Sequence, residues 1–356
     1  MSKKLKVLVF SKYDQKGASS RLRTIQYLKG IEQASISITL SPLFDAKYLE
    51  DLYNGNLRKI TILKYYFKRI RMLFGLGKYD LVWIEKEIFP WFPLPVEKLL
   101  AKWGVRYIVD YDDAIFHTYD THRSGLVRQL LSNKIPTVMK HAALVTVCNS
   151  YLEKKAKKAG AKRIEVLPTV VDIQRYIPVY HAKNHKLVIG WIGTPKTEKY
   201  LIAMKEILDK LASMIEIKVM VVGGQEFFSE KFEYEILPWD EKKESEYLQQ
   251  IDIGIMPLTD SPWEKGKCGY KLIQYMACGK PVIASNVGMN CEIIQTGVNG
   301  YLANDEQAWI DAFKALMKLE KRVELGKNAR ALVERTYSLQ NTLDHRIRFL
   351  KESISK

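Results

Sequence analysis

Short apolar runs, each followed by a turn and a helical pattern, recur from one end of this chain to the other. Residues 6–11 (KVLVFS) and 187–192 (LVIGWI) are two such runs. Both lead through a glycine into a helix, which begins near Glu198 in the second case and near Ser19, with Ser19 or Ser20 as N-cap, in the first. Strands that are apolar at nearly every position are typical of parallel sheets buried on both faces. The alternation therefore predicts an α/β protein with two doubly wound parallel sheets.

A polar segment over residues 175–186, which carries Pro178 and few apolar side chains, divides the chain into two parts. This composition is typical of a linker. At 356 residues the chain is long enough for two domains with separate cores. We expect an N-terminal domain over residues 1–178, a C-terminal domain over residues 187–336, and a basic amphipathic helix within residues 337–356.

The composition argues against several classes of protein. No apolar run approaches the roughly 18 residues that a membrane-spanning helix needs, and the N-terminus enters a strand without a signal-peptide pattern. The four cysteines form no C-x-x-C pair, so neither a zinc site nor a disulfide framework is indicated. We therefore expect a cytoplasmic protein with reduced thiols at Cys148, Cys268, Cys278 and Cys291.

The formal net charge of +16 favours anionic partners. Nucleotide diphosphates, anionic lipid headgroups and nucleic acid all fit such a charge. The basic residues are not accompanied by a recognised nucleic-acid-binding pattern, so we expect no nucleic-acid partner.

The stretch from Asn56 to Lys78 contains seven Lys or Arg residues and no acidic residue. Its apolar residues fall close to helical spacing, with basic residues between them. This pattern is typical of a helix that lies at the surface of an anionic membrane. The alternative is an ordinary domain helix with a solvated basic side.

Residues 266–292 combine a glycine-rich loop, a short apolar helix over residues 270–277 and a buried strand over residues 281–285. Gly266, Lys267 and Gly269 lie in the loop. Glycines before a helix N-terminus let backbone N–H groups approach an anion. The stretch therefore predicts a phosphate-binding loop, with a solvated lysine as the alternative interpretation of Lys267.

Polar residues also follow two predicted strands of the N-terminal half. Asp112 and Asp113 come directly after the apolar run of residues 106–110, and Gly17 and Arg21 follow the first strand. The carboxyl ends of parallel strands face the ligand crevice of a doubly wound sheet. We expect these residues near a ligand, although Arg21 can equally be a solvated residue of a first helical turn.

Seven segments, taken in order, resemble the family 4 glycosyltransferases (glycosyl transferases group 1), which have the GT-B fold. The segments are SSRLRTIQYL, IVDYDDAIF, LPTVVD, IGWIGTPKTEKYL, DIGIMPL, GKCGYKLIQYMACGKPVIAS and GVNGYLA. The resemblance implies two Rossmann-like domains that face a cleft, with the C-terminal helix crossing back to the first domain. It also implies that the N-terminal domain binds the acceptor and the C-terminal domain binds a nucleotide-sugar.

For the donor, the resemblance implies a cradle for the leaving β-phosphate, where negative charge develops as the glycosidic bond breaks. Lys267 and Lys271 supply positive charge there, and neither a metal nor another cofactor is expected. Gln274 replaces the family's usual glutamate that holds the ribose hydroxyls, and its amide can still donate and accept hydrogen bonds. The full set of expected donor contacts is Gly193, Thr194, Thr197, Gly269, Tyr270 and Gln274.

For the acceptor, the resemblance implies that Asp112 and Asp113 act near the reacting sugar. A carboxylate there takes the acceptor hydroxyl's proton or stabilises positive character at the anomeric carbon. Gly17 and Arg21 belong to the same acceptor side. The D-x-D of Asp110 and Asp112 leaves open a Mg²⁺ site of the kind found in the other large glycosyltransferase fold, GT-A.

These expectations combine in a retaining glycosyltransferase that moves a sugar from a nucleotide-sugar to a lipid-linked glycan in surface polysaccharide biosynthesis. The basic segment predicts that it is cytoplasmic and peripheral on the inner face of the membrane. Two alternatives stay open: a nucleotide-sugar epimerase of the same fold, which needs no acceptor, and a catalytically silent protein that binds a nucleotide-sugar.

Overall fold

The computed structural model describes residues 4–56, 58–180 and 186–354. These residues form two compact units. The first unit contains the chain up to Thr169, the short segment Gly266–Cys268 and the chain from Thr342 onward, and the second contains Val170–Lys265 and Gly269–Asn341. The assignment of residues 1–178 to acceptor binding and of residues 187–336 to donor binding stays a prediction.

The first unit is built on one parallel sheet of six strands. They are β1 (Leu5–Tyr13), β2 (Ile36–Phe44), β3 (Leu81–Glu85), β4 (Tyr107–Tyr111), β5 (Leu144–Val147) and β6 (Ile164–Val166). Their order across the sheet is β2-β1-β3-β4-β5-β6. Every residue of β3 and β4 is buried, as expected for central strands that are covered on both faces.

Helices connect these strands. They are α1 (Ala18–Ser20), α2 (Gln26–Gln33), α3 (Ala46–Tyr53), α4 (Lys59–Leu73), α5 (Val96–Lys102), α6 (His117–Asp120), α7 (Gly125–Leu131), α8 (Lys134–His141) and α9 (Ser150–Lys158), with a π-helical turn over Arg21–Ile25 and a 3₁₀ turn over Leu76–Lys78. The predicted N-cap at Ser19 or Ser20 is wrong, because Gly17 is the N-cap of α1. The hydroxyls of Ser19 and Ser20 are used elsewhere, on Asp112 and Glu85.

The second unit repeats the plan with β7 (Leu187–Ile192), β8 (Ile217–Val222), β9 (Glu233–Leu237), β10 (Ile253–Met256), β11 (Val282–Ser285) and β12 (Gly300–Ala303), which lie in the order β12-β11-β10-β7-β8-β9. Its helices are α10 (Pro195–Ile202), α11 (Lys205–Ala212), α12 (Glu244–Gln249), α13 (Pro262–Lys265), α14 (Tyr270–Ala277), α15 (Met289–Ile293), α16 (Glu306–Ala315) and α17 (Leu319–Thr336). The helix predicted over residues 270–277 is confirmed as α14.

Each face of the second sheet carries its own apolar core. Along β8, Val219 and Val221 join one cluster with Trp309, while Met220 and Val222 join another with Met276. Burying one such side chain contributes about 1.5–3 kcal/mol. The prediction of an α/β fold with two parallel sheets is confirmed.

The last helix, α18 (Leu339–Glu352), enters the first unit from Thr342 onward. Its Arg346 is buried, contacts Asp110 Oδ1 at 3.2 Å and lies over the Trp83 ring at 4.7 Å. The Thr342 hydroxyl is 3.0 Å from that of Tyr27. The predicted return of the terminal helix to the first domain is confirmed, and a buried ion pair holds it there.

Candidate active site

In the first unit, charged residues gather where β3 and β4 end. Lys86 follows β3, and its N–H donates to Asp110 O at 3.0 Å, which extends the pairing of the two strands by one residue. Asp112 and Asp113 follow β4. Parallel neighbouring strands end at the same edge of a sheet, so Lys86 comes together with the two aspartates. Asp112 and Asp113 are hereafter called the aspartate pair.

Asp112 is buried, with an ion-pair partner at one carboxylate oxygen and a hydrogen-bond donor at the other. Lys86 Nζ lies 2.8 Å from Oδ1, and the Ser19 hydroxyl, at the start of the helical segment after β1, donates to Oδ2 at 2.5 Å. Burial by itself would raise the pKa of Asp112, but the Lys86 ammonium and these hydrogen bonds hold the pKa below its usual value. Asp112 is therefore a fixed anion.

Asp113 differs from its neighbour because its side chain is 34% exposed and lies 3.8 Å from Lys86 Nζ. Burial and the Asp112 charge raise the pKa of Asp113, while Lys86, Lys267 and Lys12 act in the opposite direction. A partly exposed carboxylate at a strand end, with its pKa raised by its surroundings, is a candidate for a role in proton transfer.

Lys267 belongs to the same group because Gly266–Cys268 is part of the first unit and the Lys267 charge acts on Asp113. The Asn149 side chain donates to Lys267 O at 3.0 Å. Gly266 lies so close to Ala114 that a Cβ at position 266 would collide with the alanine side chain. The glycine therefore permits this segment to approach the aspartate pair, and the structure brings Asp112, Asp113 and Lys267 together.

Asp110 is not directed at a ligand. Arg23 binds it through two hydrogen bonds of 2.8 Å, Arg346 is a second partner, and the Thr146 hydroxyl also donates to it. Burial would raise the pKa of Asp110, but the two guanidinium groups lower it to about 2. The D-x-D alternative is thus not supported by the geometry. Within residues 4–56, 58–180 and 186–354 no group of three or more His, Cys, Asp or Glu side chains is arranged to hold a metal ion.

The other predicted acceptor-side residues lie at the turn after β1. Arg21 is mostly buried, and its guanidinium donates to Gln15 O at 3.2 Å. A Cβ at Gly17 would collide with Tyr13, so this glycine permits a close turn. Their roles toward an acceptor stay predictions.

Three residues of this site were missed by the sequence reasoning: Lys86, Ser19 and Lys12. Burial and the Lys86 charge lower the pKa of Lys12. Lys86 carried a usable signal, because it follows a buried strand in the same way as Asp112 follows the next one. Ser19 carried none, since a serine at a predicted helix start is normally an N-cap.

The second unit brings Gly193 and Lys271 together. Lys271 Nζ lies 4.1 Å from the centre of the Trp191 ring, and a Cβ at Gly193 would sit 2.8 Å from the same nitrogen. The glycine therefore leaves room for the ammonium beside the loop that follows β7.

Two helix starts complete the predicted donor side. Thr194 N donates to the Thr197 hydroxyl at 3.1 Å and Thr197 N donates to Thr194 O at 2.8 Å, so both threonines are used in capping α10. Helix α14 begins after Gly269, whose φ of +67° is left-handed and suits glycine. The positive end of α14, at Tyr270 and Lys271, is a ready site for an anion.

Gln274 is buried within a chain of hydrogen bonds. Its amide donates to the Tyr176 hydroxyl at 3.0 Å, which in turn donates to Glu244 at 2.5 Å, and the Trp239 indole N–H donates to the other Glu244 oxygen at 2.9 Å. The amide donor is thus used inside the protein. Contact between Gln274 and a ribose stays a prediction.

Residues 186–318 match the family described as glycosyl transferases group 1. The chain is also 22% identical, over 86% of its length and 85% of the relative's, to a Bacillus subtilis (strain 168) protein named for teichuronic acid biosynthesis, the glycosyltransferase TuaH. Over residues 186–318 the chain is a group 1 glycosyltransferase.

The fold of this glycosyltransferase is that of solved GT-B enzymes. It superposes on Anabaena Alr3699/HepE, solved with UDP and glucose, with a TM-score of 0.67 at 14% identity, covering 98% of this chain and 100% of that one. It superposes on WaaG, a glycosyltransferase involved in lipopolysaccharide biosynthesis, with a TM-score of 0.69 at 13% identity, covering 97% and 99%. The predicted family, fold and enzyme class are confirmed. Among the described residues, no helix combines the length and apolar character needed to cross a bilayer.

Proposed function

We propose that this glycosyltransferase transfers a sugar from a nucleotide-sugar to a lipid-linked glycan of a surface polysaccharide, with retention of anomeric configuration. The observation that carries the proposal is the packing of Lys267 beside the aspartate pair, which places a predicted phosphate-binding lysine in one group with a titratable carboxylate. The relatives named for teichuronic acid and lipopolysaccharide synthesis support a surface glycan as the product.

The donor half of the proposal rests on positive groups. When the bond between sugar and diphosphate breaks, charge grows on the leaving phosphate, and groups fixed in advance lower the barrier. In the second unit Lys271 and the start of α14 supply such groups, and Lys267 stays a predicted phosphate contact. Gly193 lets the phosphate approach Lys271 without a side chain between them, and no metal or cofactor takes part in the proposal.

The acceptor half rests on Asp113. In a retaining reaction without a protein nucleophile, the departing phosphate accepts the acceptor's proton, and Asp113 orients the hydroxyl or stabilises positive character at the anomeric carbon. Asp112, which is bonded to Lys86 and Ser19, supports its neighbour.

Transfer of radiolabelled sugar from UDP- and GDP-sugars to a membrane extract tests the proposal. We expect labelled, lipid-extractable product from one donor, and loss of that product in Asp113→Asn. Absence of both turnover and nucleotide binding with every donor would contradict the proposal. An epimerase would convert its donor without any extract.

The catalytically silent alternative has one observation in its favour, the engagement of Gln274 with Tyr176 where the family usually has a glutamate. It predicts nucleotide binding without product, and binding that Asp113→Asn leaves unchanged. Isothermal titration with UDP and GDP beside the transfer assay separates the two functions.

We also propose that α4 binds the anionic inner face of the membrane. Its outward stripe of apolar side chains, each 42–89% exposed, consists of Ile60, Leu63, Phe67, Ile70 and Phe74. An amphipathic helix normally buries its apolar stripe against the protein core. The stripe of α4 is exposed, so we infer that another surface covers it. The exposed Lys64, Lys68 and Arg71 favour a partner that combines an apolar interior with an anionic surface, which is a bilayer.

The neighbouring loop extends this apolar surface. The Tyr66 hydroxyl of α4 donates to Pro90 O, and the loop that continues from Pro90 exposes Trp91, Phe92 and Leu94. Arg69 does not contribute, because it is 2% exposed and donates to Ser11 O and Ser41 O at 2.9 and 2.8 Å.

Flotation with anionic vesicles tests the membrane contact. The variant Lys64→Glu/Lys68→Glu/Arg71→Glu should lose about 3 kcal/mol of attraction, since each basic residue near such a surface contributes about 1 kcal/mol. The matched control reverses three exposed lysines of α9, Lys154, Lys157 and Lys158, with the same change in net charge. Equal flotation of the two variants would show that α4 is not the contact.

A further inference from the structure

Lys86 has a backbone conformation that lysine rarely adopts. Its φ is +65°, and the other non-glycine residues with positive φ among those described are Ser35 and Trp91. The Lys86 side chain is also buried. A residue held in this region persists when its surroundings over-determine it, and such residues cluster at functional sites.

The unusual backbone directs the Lys86 ammonium between two carboxylates. It is 2.8 Å from Asp112 Oδ1 and 3.8 Å from Asp113 Oδ2. The 2.8 Å contact is a close ion pair, whereas 3.8 Å exceeds hydrogen-bonding distance. The ammonium therefore binds Asp112 tightly and acts on Asp113 mainly through its charge.

A purely structural ion pair would not require this arrangement. Well-packed apolar residues often replace a buried pair at no loss of stability, and they would also avoid a strained backbone. Asp112 is in addition fixed from a second side by Ser19 at 2.5 Å. As a result, the Asp112 carboxylate is fixed and paired with a cation, while the neighbouring Asp113 carboxylate is partly exposed. This difference suggests that Asp113 has a functional role.

We propose that Lys86 is the positioning residue of the aspartate pair: it fixes Asp112 and thereby sets the direction and charge of Asp113 toward the acceptor. This inference rests on the proposed function, since it assigns Lys86 to the carboxylate that meets the acceptor.

The proposal predicts how the pH dependence changes. The groups that act on Asp113 are Asp112, Lys86, Lys267 and Lys12. Removing the Lys86 charge takes away one group that lowers the pKa of Asp113 and leaves the Asp112 charge without its ion-pair partner, so the pKa of Asp113 should rise further. If the reaction needs ionised Asp113, the acidic limb of the kcat/KM profile moves to higher pH.

The first experiment compares Lys86→Gln with the double variant Lys86→Gln/Asp112→Asn in sugar transfer. We expect Lys86→Gln to lower kcat about 10²-fold, the usual cost of a misplaced group, and to move the acidic limb to higher pH. The double variant removes the uncompensated anion and should move that limb back. Nucleotide affinity, which the proposed function assigns chiefly to Lys271 and the start of α14, should stay the same in both. Wild-type kcat and an unmoved pH profile in Lys86→Gln would overturn the proposal.

A second experiment does not depend on turnover. Titration of aspartate carboxyl carbons by ¹³C NMR, with Asp113 assigned from Asp113→Asn, should show a higher pKa for Asp113 in Lys86→Gln than in wild type. An unchanged titration would overturn the proposal. If wild type transferred no sugar with any donor, the proposed function would fail while this titration still decided the role of Lys86. Lys86→Gly, which relieves the strained backbone but lacks the ammonium, should behave as Lys86→Gln does, and full activity in it would also overturn the proposal.

Discussion

In the first unit the candidate groups are buried or half-buried charges, whereas in the second they are glycines, helix starts and one lysine over an indole ring. Asp110 and Asp112 each need basic partners from distant parts of the chain, Arg23 and Arg346 for one and Lys86 for the other. Gly193 follows a strand and Lys271 begins a helix, and the Lys271 ammonium packs over the Trp191 ring. In the first unit the strand end that carries the site is therefore held by buried ion pairs, and we expect stability to depend on them. In the second unit we expect a ligand contact to be removable with little loss of stability.

The largest expected effect is the loss of stability on removing the buried charge of Asp110 in the first unit. Asp110→Asn leaves Arg23 and Arg346 buried without a counter-charge, so we expect the free energy of unfolding to fall by about 3–5 kcal/mol. Urea denaturation at neutral pH measures it. Asp120→Asn, which removes a half-exposed partner of Lys155, is the control and should cost less than about 1 kcal/mol. Similar losses in both variants would contradict the assignment.

Asp110 also makes the free energy of unfolding depend on pH. The pKa of Asp110 is lowered to about 2 in the folded protein, below the value of about 3.9 for an unfolded aspartate. Its contribution to stability is therefore fully present above pH of about 4 and is lost as the pH falls toward 2. Asp110→Asn should lack this part of the acid transition.

The second prediction tests the other side of the comparison. Lys271→Met should weaken the binding of a nucleoside diphosphate about 10- to 100-fold, because a hydrogen bond to a charged group contributes about 1.5–3 kcal/mol. Stability should fall by less than about 1 kcal/mol, the size of a partly exposed cation–π contact. Isothermal titration with UDP, GDP and ADP measures the first quantity and thermal unfolding the second. Lys327→Met, an exposed lysine of α17, is the control. If Lys271→Met lost much stability and bound nucleotide unchanged, Lys271 would be a structural residue and the contrast between the two units would be wrong.

The same contrast explains what the sequence could predict. Helix α14, its glycine start and the alternation of strands are encoded locally, so they were predicted with nearly correct bounds. The aspartate pair was found because strand ends are visible in sequence. The partners of Asp110 and Asp112 were not found. Arg346, for example, lies 236 positions from Asp110, and only the return of α18 to the first unit brings the two together. Arg69 was expected among the basic surface residues. It is buried instead and donates to two backbone carbonyls, which the helical periodicity of the segment does not indicate.

A third prediction tests whether the second unit also contains a structural carboxylate. Glu198 of α10 is buried and accepts hydrogen bonds from the backbone N–H groups of Gln225, Glu226 and Phe227. Glu198→Gln replaces one acceptor oxygen by a donor, so we expect a loss of about 1–3 kcal/mol, with faster amide exchange confined to this loop. Glu206→Gln, on the exposed side of α11, is the control. Unchanged exchange at residues 225–227 would show that the loop is held by other contacts.

The smallest effect concerns Gln274, where the chain departs from its family. Gln274→Glu replaces the donor to Tyr176 by an acceptor, and two carboxylates, at positions 274 and 244, then compete for one hydroxyl proton. We expect a loss of about 1 kcal/mol in the free energy of unfolding at neutral pH. Burial raises the pKa of the new carboxyl, so the loss should disappear as the pH falls below that pKa, where the protonated group donates again. Thermal unfolding between pH 5 and pH 8 measures this, with Gln295→Glu as a surface control. If the loss of stability persisted at low pH, altered packing and not the carboxylate charge would be its cause. A gain in nucleotide affinity would show that position 274 faces the ribose.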